Sequence, residues 1–545
     1  MGLTDERGAP LPGDGLGRRQ FLGGIATTGA MVTAGGLLAA CGGSSGAAPA
    51  ATSGTSAAVG AKHRGGSLRL GLTGSSGNDT LDPHQGLSYI DTSRAHQLYQ
   101  PLIQLNAQAQ FEYVLAEDNG IQTHGSTKEY IIKLRPGITF HDGKQLTADD
   151  VIYTFRRIKG GNNGAGFAGS SSLGPMDLKN LKAIDTHTVQ VPFTQHYGSF
   201  LDQLAFWYYL YIVPVGFDPT KQKPNGTGPF KYKSFTKNQR SVFVRNENYW
   251  KSGLPYVDQV TIIDFSDSVS LQNALITNVI DAAGGIEGPQ VAELSSNSSV
   301  KTVTSKTGAI TPFTMRVDVA PFNIPQVRQA LRLIVDRQQL IASALDGFAT
   351  VAADVFSPFD PNVQHFTRQA DIPQAKALLK RVGQENLTVT LTTSPVATGT
   401  VQMATVFAEQ AKAAGVTIKV NNVPPNTFFK PGKYLEWPFS QDFYNYSPYL
   451  AQVAQSFLPT SPYNETHWKQ PHYIALDKQA NETPSLSTRK QIEHEMQQID
   501  FNEGGYIIPC FIDALDAYST KLTGYNAARV GQPLSDFNFQ DWSFI

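Results

Sequence analysis

Tyr130-Ile131-Ile132-Lys133-Leu134-Arg135-Pro136-Gly137-Ile138-Thr139-Phe140-His141-Asp142-Gly143 is the stretch that decides the fold class. Its first five residues predict a strand, Arg135-Pro136-Gly137 a turn, and Ile138–Phe140 a second short strand. His141–Lys144 turns again, and Thr147 is placed to cap a helix running to about Ile158. Asp149 and Asp150 fall in its first turn, where the helix dipole favours carboxylates. Val151, Ile152, Phe155 and Ile158 give it one apolar face. Strand, turn and helix between Tyr130 and Ile158 make the chain mixed α and β.

The same alternation of elements extends in both directions. Upstream, Ser67–Leu72 reads as a strand, Leu81-Asp82-Pro83-His84 as a turn, and residues 91–105 as helix and then extended chain. Downstream, strands are expected at 183–193, then strand, helix and strand from Val260 to Gly285. Pro325–Leu345 predicts one amphipathic helix, with Val327, Ala330, Leu331, Ile334, Leu340 and Ile341 inward and Arg328, Arg332, Asp336 and Arg337 in water. Further helices are expected at 373–382, 399–414 and 484–503, and strands at 386–393 and 416–420. The aromatic tail 505–545 reads as extended chain returning to an earlier sheet. No short repeat is visible.

The N-terminus supplies an address. Arg18-Arg19 precedes an uncharged run ending in Leu38-Ala39-Ala40-Cys41, the layout of a secretory signal with small residues before cleavage. The paired arginines resemble a twin-arginine signal, and Leu-Ala-Ala-Cys resembles a lipoprotein box, which implies lipidation of Cys41. Glycines at 23, 24, 29, 35 and 36 make the run a poor membrane span. Residues 42–65 are Gly, Ser and Ala-rich and read as a flexible linker. The chain of 545 residues then has length for about three domains. With 44 Lys and Arg against 45 Asp and Glu, it lacks the basic surplus that nucleic acid or an anionic membrane requires. A lipidated Cys41 leaves Cys510 without a disulfide partner.

Two motifs that name enzymes fail on context. Gly42-Gly43-Ser44-Ser45-Gly46 has the nucleophile-elbow spacing but lies in the linker, with no strand before it. Gly164–Gly169 satisfies GxGxxG, yet it sits in a Gly, Asn and Ser loop. The eleven histidines form no HxxH or HExxH pair, so neither a protein metal cage nor a cofactor is expected. A hydrolase would need a nucleophile, base and acid on strand-end loops, and no histidine stands in such a context.

Leu134–Gly143 followed by Leu146-Thr147-Ala148-Asp149-Asp150-Val151 resembles family 5 of the extracytoplasmic solute-binding proteins, the peptide and nickel group that serves ABC importers. Leu81–His84, Gly226-Thr227-Gly228-Pro229-Phe230, Asn248-Tyr249-Trp250 and Pro321-Phe322 with Val327–Leu331 follow in the family's order, so the likeness spans 66–545. It implies an α/β, two-lobed, hinged fold of the type II periplasmic-binding-protein kind with an accessory domain. In that scheme 66–82, 186–315 and 506–545 build one lobe, 83–185 the accessory domain and 316–505 the other lobe. It also implies a non-enzymatic monomer, tethered outside the cytoplasm by its lipid, that hands a short peptide or other small solute to a membrane permease.

The resemblance assigns a ligand site as well. Peptide-binding relatives carry an Asp that pairs with the ligand's ammonium, with a Trp three residues before it. Asp442 stands at the acid's position in Phe439-Ser440-Gln441-Asp442-Phe443-Tyr444, Phe439 at the Trp's position, and Trp437 two residues away. By its residues alone Asp442 reads as a solvated loop acid or a turn cap. Further candidates are Tyr444, Tyr446, Arg316, Met315, Gly285 and the aromatic run 206–209. His141 and Asp142 are expected to be turn residues. A metal chelate, or a sensor on the same scaffold, remains an alternative reading.

Overall fold

Among the described residues, three larger sheets and two two-stranded ones carry the strands. The computed structural model describes residues 62–74, 79–86, 88–161, 167–205 and 209–545. The expected signal 1–41 with Cys41, the linker up to residue 61, Gly164 and Gly166, and aromatic residues 206–208 lie outside them. The linker's last residues are tied down: the His63 N–H donates to Ser543 Oγ (2.8 Å) and to the Phe544 carbonyl (3.2 Å).

The largest sheet runs, in spatial order, Val300–Ala309, Cys510–Ser519, Ala282–Gly284, Ser67–Thr73, Gln259–Phe265, Arg240–Arg245 and Phe230–Thr236, and Ala349–Val351 also pairs with Cys510–Ser519. Ser67–Thr73 is parallel to both its neighbours; the other pairings are antiparallel. Leu68, Leu70 and Leu72 alternate onto one face and are buried with Tyr99, Phe230 and Phe243. Each such side chain contributes roughly 1.5–3 kcal/mol. The tail thus returns to an earlier sheet through Cys510–Ser519.

A second sheet runs Thr417–Asn422, Thr388–Thr393, Phe439–Gln441, Phe313–Met315, Tyr506–Ile507. The third is Ala116–His124, Ser126–Leu134, Thr188–Pro192, Lys182–Asp185, covered by the helix Ala148–Gly160 through Val151, Phe155 and Ile158. At that helix's start the Asp150 carboxylate accepts from the backbone N–H and the hydroxyl of Thr147, both at 2.9 Å. The short strand expected at Ile138–Phe140 is only a bridge, Thr139 to Gln145, because the turn at Gly143 (φ +91°) closes too tightly for a ladder.

Pro325–Leu345 is two helices, Pro325–Ile334 and Arg337–Ala344. Val335 is extended, and Asp336 caps the second helix by accepting from the Gln339 N–H at 2.9 Å. The arginines expected in water are buried. Arg328 donates to the carbonyls of Phe322 (2.7 Å) and Glu503 (2.7 Å), and Arg332 to those of Tyr506 (3.1 Å) and Gly504 (2.6 Å). They close the C-terminal end of the helix Leu486–Glu503, where carbonyls lack partners and cations are favoured.

Two of the chain's passages between the first two sheets lie side by side, and Ala349–Val351 makes a further excursion into the first sheet. Ala309 pairs with Ile512 in one sheet and Phe313 with Ile507 in the other, leaving two short connectors between. Buried Asp354 anchors them: it accepts from the Ile508 N–H (3.0 Å) and from Arg337 Nη2 (2.9 Å), and forms an ion pair with Arg368 (2.5 Å).

Candidate functional site

Strands Thr388–Thr393 and Phe439–Gln441 run parallel, and the chain leaves the second of them at Asp442. Ligands in α/β sheets gather beyond the carboxyl ends of parallel strands. Two buried polar atoms at these ends, Gln441 Nε2 and Ser394 Oγ, have no hydrogen-bond partner.

Asp442 is itself 2 % exposed. Its Oδ1 accepts from the Phe443 N–H at 2.8 Å, and its Oδ2 accepts from the Tyr434 hydroxyl. The same hydroxyl lies 3.3 Å from Glu465 Oε1, and Glu465, also 2 % exposed, accepts from Tyr444 and Tyr506. Two carboxyls therefore meet in a dry site surrounded by phenols. Burial, opposed by hydrogen bonds from Glu465 and Tyr434, leaves Asp442 above the usual carboxylate range. Burial and the Asp442 charge push Glu465 well above the usual carboxylate range.

Aromatic rings line the approach. Tyr434 packs on Phe429 (5.1 Å between centroids) and Tyr463 (6.5 Å). Trp437 stacks on Phe428 at 6.2 Å and donates to its carbonyl at 3.2 Å. From the first sheet's side come Tyr209 and Tyr89; burial and the charges of Tyr463 and Tyr89 push the Tyr209 phenol up.

The remaining sequence candidates are distributed differently. Phe439 is fully buried in the core between Phe322 and Phe407, on the far side of the strand from Ser440, so it supports the loop from beneath rather than lining it. Met315 is buried in the same core, and Tyr446 packs in the core of the largest sheet. Arg316 is engaged with Asp318 (3.0 and 2.9 Å) and Glu436 (2.5 Å). Gly285 is exposed at φ +72°, donates to Asp516 Oδ1 at 3.1 Å, and has open space where a Cβ would stand. His141 clasps the Gly226–Gly228 loop: its Nε2 meets the Gly228 carbonyl at 3.1 Å, and its Nδ1 accepts from the Gly226 N–H at 3.3 Å. Burial depresses it to about 4. It is a turn residue, as expected. Sequence reasoning missed Glu465, Tyr434, Tyr463 and Tyr506; a lone acid in an aperiodic loop gives no signal.

The profile of the bacterial extracellular solute-binding proteins, family 5 Middle, matches residues 110–479. The chain belongs to this family. Among curated relatives, the glutathione-binding protein GsiB of Escherichia coli O6:K15:H31 is 26 % identical over 481 residues, covering 85 % of this chain and 92 % of that protein. GsiB of Pectobacterium atrosepticum is 25 % identical over 487 residues, with 85 % and 91 % covered. Among solved structures, the periplasmic binding protein DppA of Helicobacter pylori in complex with peptide STSA has a TM-score of 0.75 at 20 % identity, covering 88 % of this chain and 98 % of that one. NikA of Staphylococcus aureus in complex with Ni(L-His)2 has 0.72 at 18 %, with 88 % and 100 % covered.

These likenesses show a type II periplasmic-binding-protein fold of two lobes. As a family 5 member the chain is a substrate-binding protein of the ABC importers and not an enzyme. Among the described residues no helix is long and apolar enough to cross a membrane, and no group of three or more His, Cys, Asp and Glu is arranged to hold a metal ion.

Proposed function

We propose that this solute-binding protein captures short peptides, holding the ligand's ammonium group at Asp442, and delivers them to a membrane permease. The observation that carries the reading is the buried Asp442 carboxyl set among tyrosines at the ends of parallel strands. Such a carboxylate in a closing, drying cleft pairs strongly with a cation, and the rings add cation–π attraction. Relatives named for glutathione and a structure holding a peptide support this ligand class.

Residues 66–82, 186–315 and 506–545 form one lobe in this reading, 316–505 the other, and 83–185 an accessory domain, with two departures: Thr188–Pro192 pairs within the accessory sheet and Ala349–Val351 within the first. Tyr444 and Trp437 shape the pocket wall, Phe439 and Arg316 brace it, and Gly285 leaves the opposing edge clear. Both walls come from one chain, so a monomer suffices. Cys41 carries the lipid that keeps the protein at the outer face of the cell membrane.

Calorimetry of the chain with free and N-acetylated dipeptides tests the capture. Free amines should bind and acetylated ones should not; equal binding would refute the role of Asp442. Cys41→Ser should move the protein from the envelope to the soluble fraction, and an unchanged distribution would refute the anchor.

A further inference from the structure

The accessory sheet, with the chain that follows its strand Thr188–Pro192, touches both lobes in different ways. Toward the first sheet it is fastened. Tyr153 packs against that sheet's core and donates to the Phe217 carbonyl (3.0 Å), and Arg157 Nη2 donates to Asp82 Oδ2 (2.7 Å). His141 holds the loop that leads into Phe230–Thr236. Toward the other lobe, the hydrogen bonds converge on one residue at the end of the helix Pro471–Glu482, where the last carbonyls lack partners within the helix. The Asn481 carbonyl accepts from the Thr127 hydroxyl (2.8 Å) and the Gly198 N–H (2.9 Å). Asn481 Oδ1 accepts from the Ser199 hydroxyl (2.8 Å) and N–H (3.1 Å). The apolar cores on the two sides are separate: Phe193, Tyr197 and Phe200 bury with the accessory sheet, and Tyr473, Leu476 and Ala480 with Tyr449 and Phe457. A seam of this kind parts without baring a core, because water can serve the groups it frees.

Gly198 records how close the approach is. Its backbone lies outside the left-handed region, so its own conformation does not call for glycine. A Cβ there would stand 2.8 Å from the Asn481 carbonyl oxygen, 2.9 Å from Arg489 Nη2 and 3.1 Å from the Ala480 carbonyl oxygen. These three nearest atoms all belong to the other lobe. The missing side chain is therefore a requirement of the docked seam. We propose that the seam is a latch: Asn481 docks on Thr127, Gly198 and Ser199 as the lobes close and leaves them as the lobes open. The accessory domain then sets the balance between the two states, and through it the affinity for solute, without touching the solute. This inference rests on the lobe division above and not on the solute's identity.

The test is small-angle scattering of the full chain, alone and with millimolar Ala-Ala, with thermal melts and calorimetry of the same samples. Gly198→Ala should give a larger particle than the wild type in at least one condition, since its methyl blocks docking and leaves the open form unstrained. Thr127→Val and Asn481→Ala, which lose one and two of the bonds, should raise the open fraction by about fivefold per bond. Gly198→Ala and wild-type curves that superimpose in both conditions overturn the latch. So does a variant that keeps the wild-type curve but melts far lower, because the seam is then a permanent joint. If Gly198→Ala does not fold, the other two variants decide: expansion upholds the latch, and unchanged curves overturn it. No heat with Ala-Ala, with Gly198→Ala still the larger particle, counts against peptide capture and upholds the latch.

Discussion

Asp442→Asn keeps the side chain's shape and removes its charge. The variant should move affinity and stability in opposite directions. The ligand ammonium would face a neutral amide in a site that is 2 % exposed, and an unpaired buried charge costs about 2–5 kcal/mol. Dissociation constants for free dipeptides should therefore rise roughly 30- to 4,000-fold. Folding responds otherwise, because burial, against the opposing hydrogen bonds from Glu465 and Tyr434, raises the carboxyl's affinity for its proton. An acid whose folded-state pKa is raised contributes stability below its unfolded value and loses it as pH rises through the folded value. Asparagine has no charge to lose. The variant should melt at or above the wild-type temperature at pH 8, by about 1–2 °C for each kcal/mol relieved in a chain of this size, and nearer the wild type at pH 5. Scanning fluorimetry at both pH values, paired with calorimetry, reads the two effects. Unchanged affinity, or a large loss of melting temperature at both pH values, would refute the reasoning and make Asp442 a structural acid.

Arg94 is fully buried, donates to Ser241 (2.7 Å), Asp91 (3.0 Å) and Asp264 (2.7 Å), and pairs with Asp79 (3.2 Å). Arg94→Met leaves three carboxylates uncompensated and should cost about 3–5 kcal/mol in urea unfolding; a loss below about 1 kcal/mol would contradict this. Burial, with Asp360 and Asp202 nearby, pushes Glu493 up to about 8. Glu493→Gln should therefore raise the melting temperature at pH 8 and leave it nearly unchanged at pH 5, and equal shifts at both would be the wrong outcome. A Cβ at Gly226 would stand 2.0 Å from the Leu98 carbonyl oxygen, so Gly226→Ala should destabilise by about 1–3 kcal/mol, read in the same urea assay.

Local patterning carried most of the architecture. Strand Ser67–Thr73 and helix Ala148–Gly160 emerge where alternation and the Thr147 cap put them, since both are set by residues within a few positions of one another. The break at Val335 was hidden because Val327–Ile341 keeps its apolar spacing across two helices. Arg328 and Arg332 read as solvent-facing, yet they answer carbonyls from a helix end some 170 residues away. No local pattern records a contact at that separation. The candidate site divides the same way. Asp442 was legible through its family position, whereas Glu465 reaches it only because Tyr434, Tyr444 and Tyr506 converge from separate segments. The place of Phe439 in the motif says nothing of which side of the strand it takes, so its burial in the core was not legible.

The two connectors between the main sheets are ladder-paired at both ends, Ala309 to Ile512 and Phe313 to Ile507. A ribbon clamped in this way flexes like a leaf spring: it bends readily across its flat face and resists shear and torsion. Bending across that face is then the softest motion of opening, and sliding one wall along the other is resisted, the more so because Ala349–Val351 also pairs with Cys510–Ile512. A pair of dyes spanning the cleft should accordingly report two distances that exchange population, with no continuum between them.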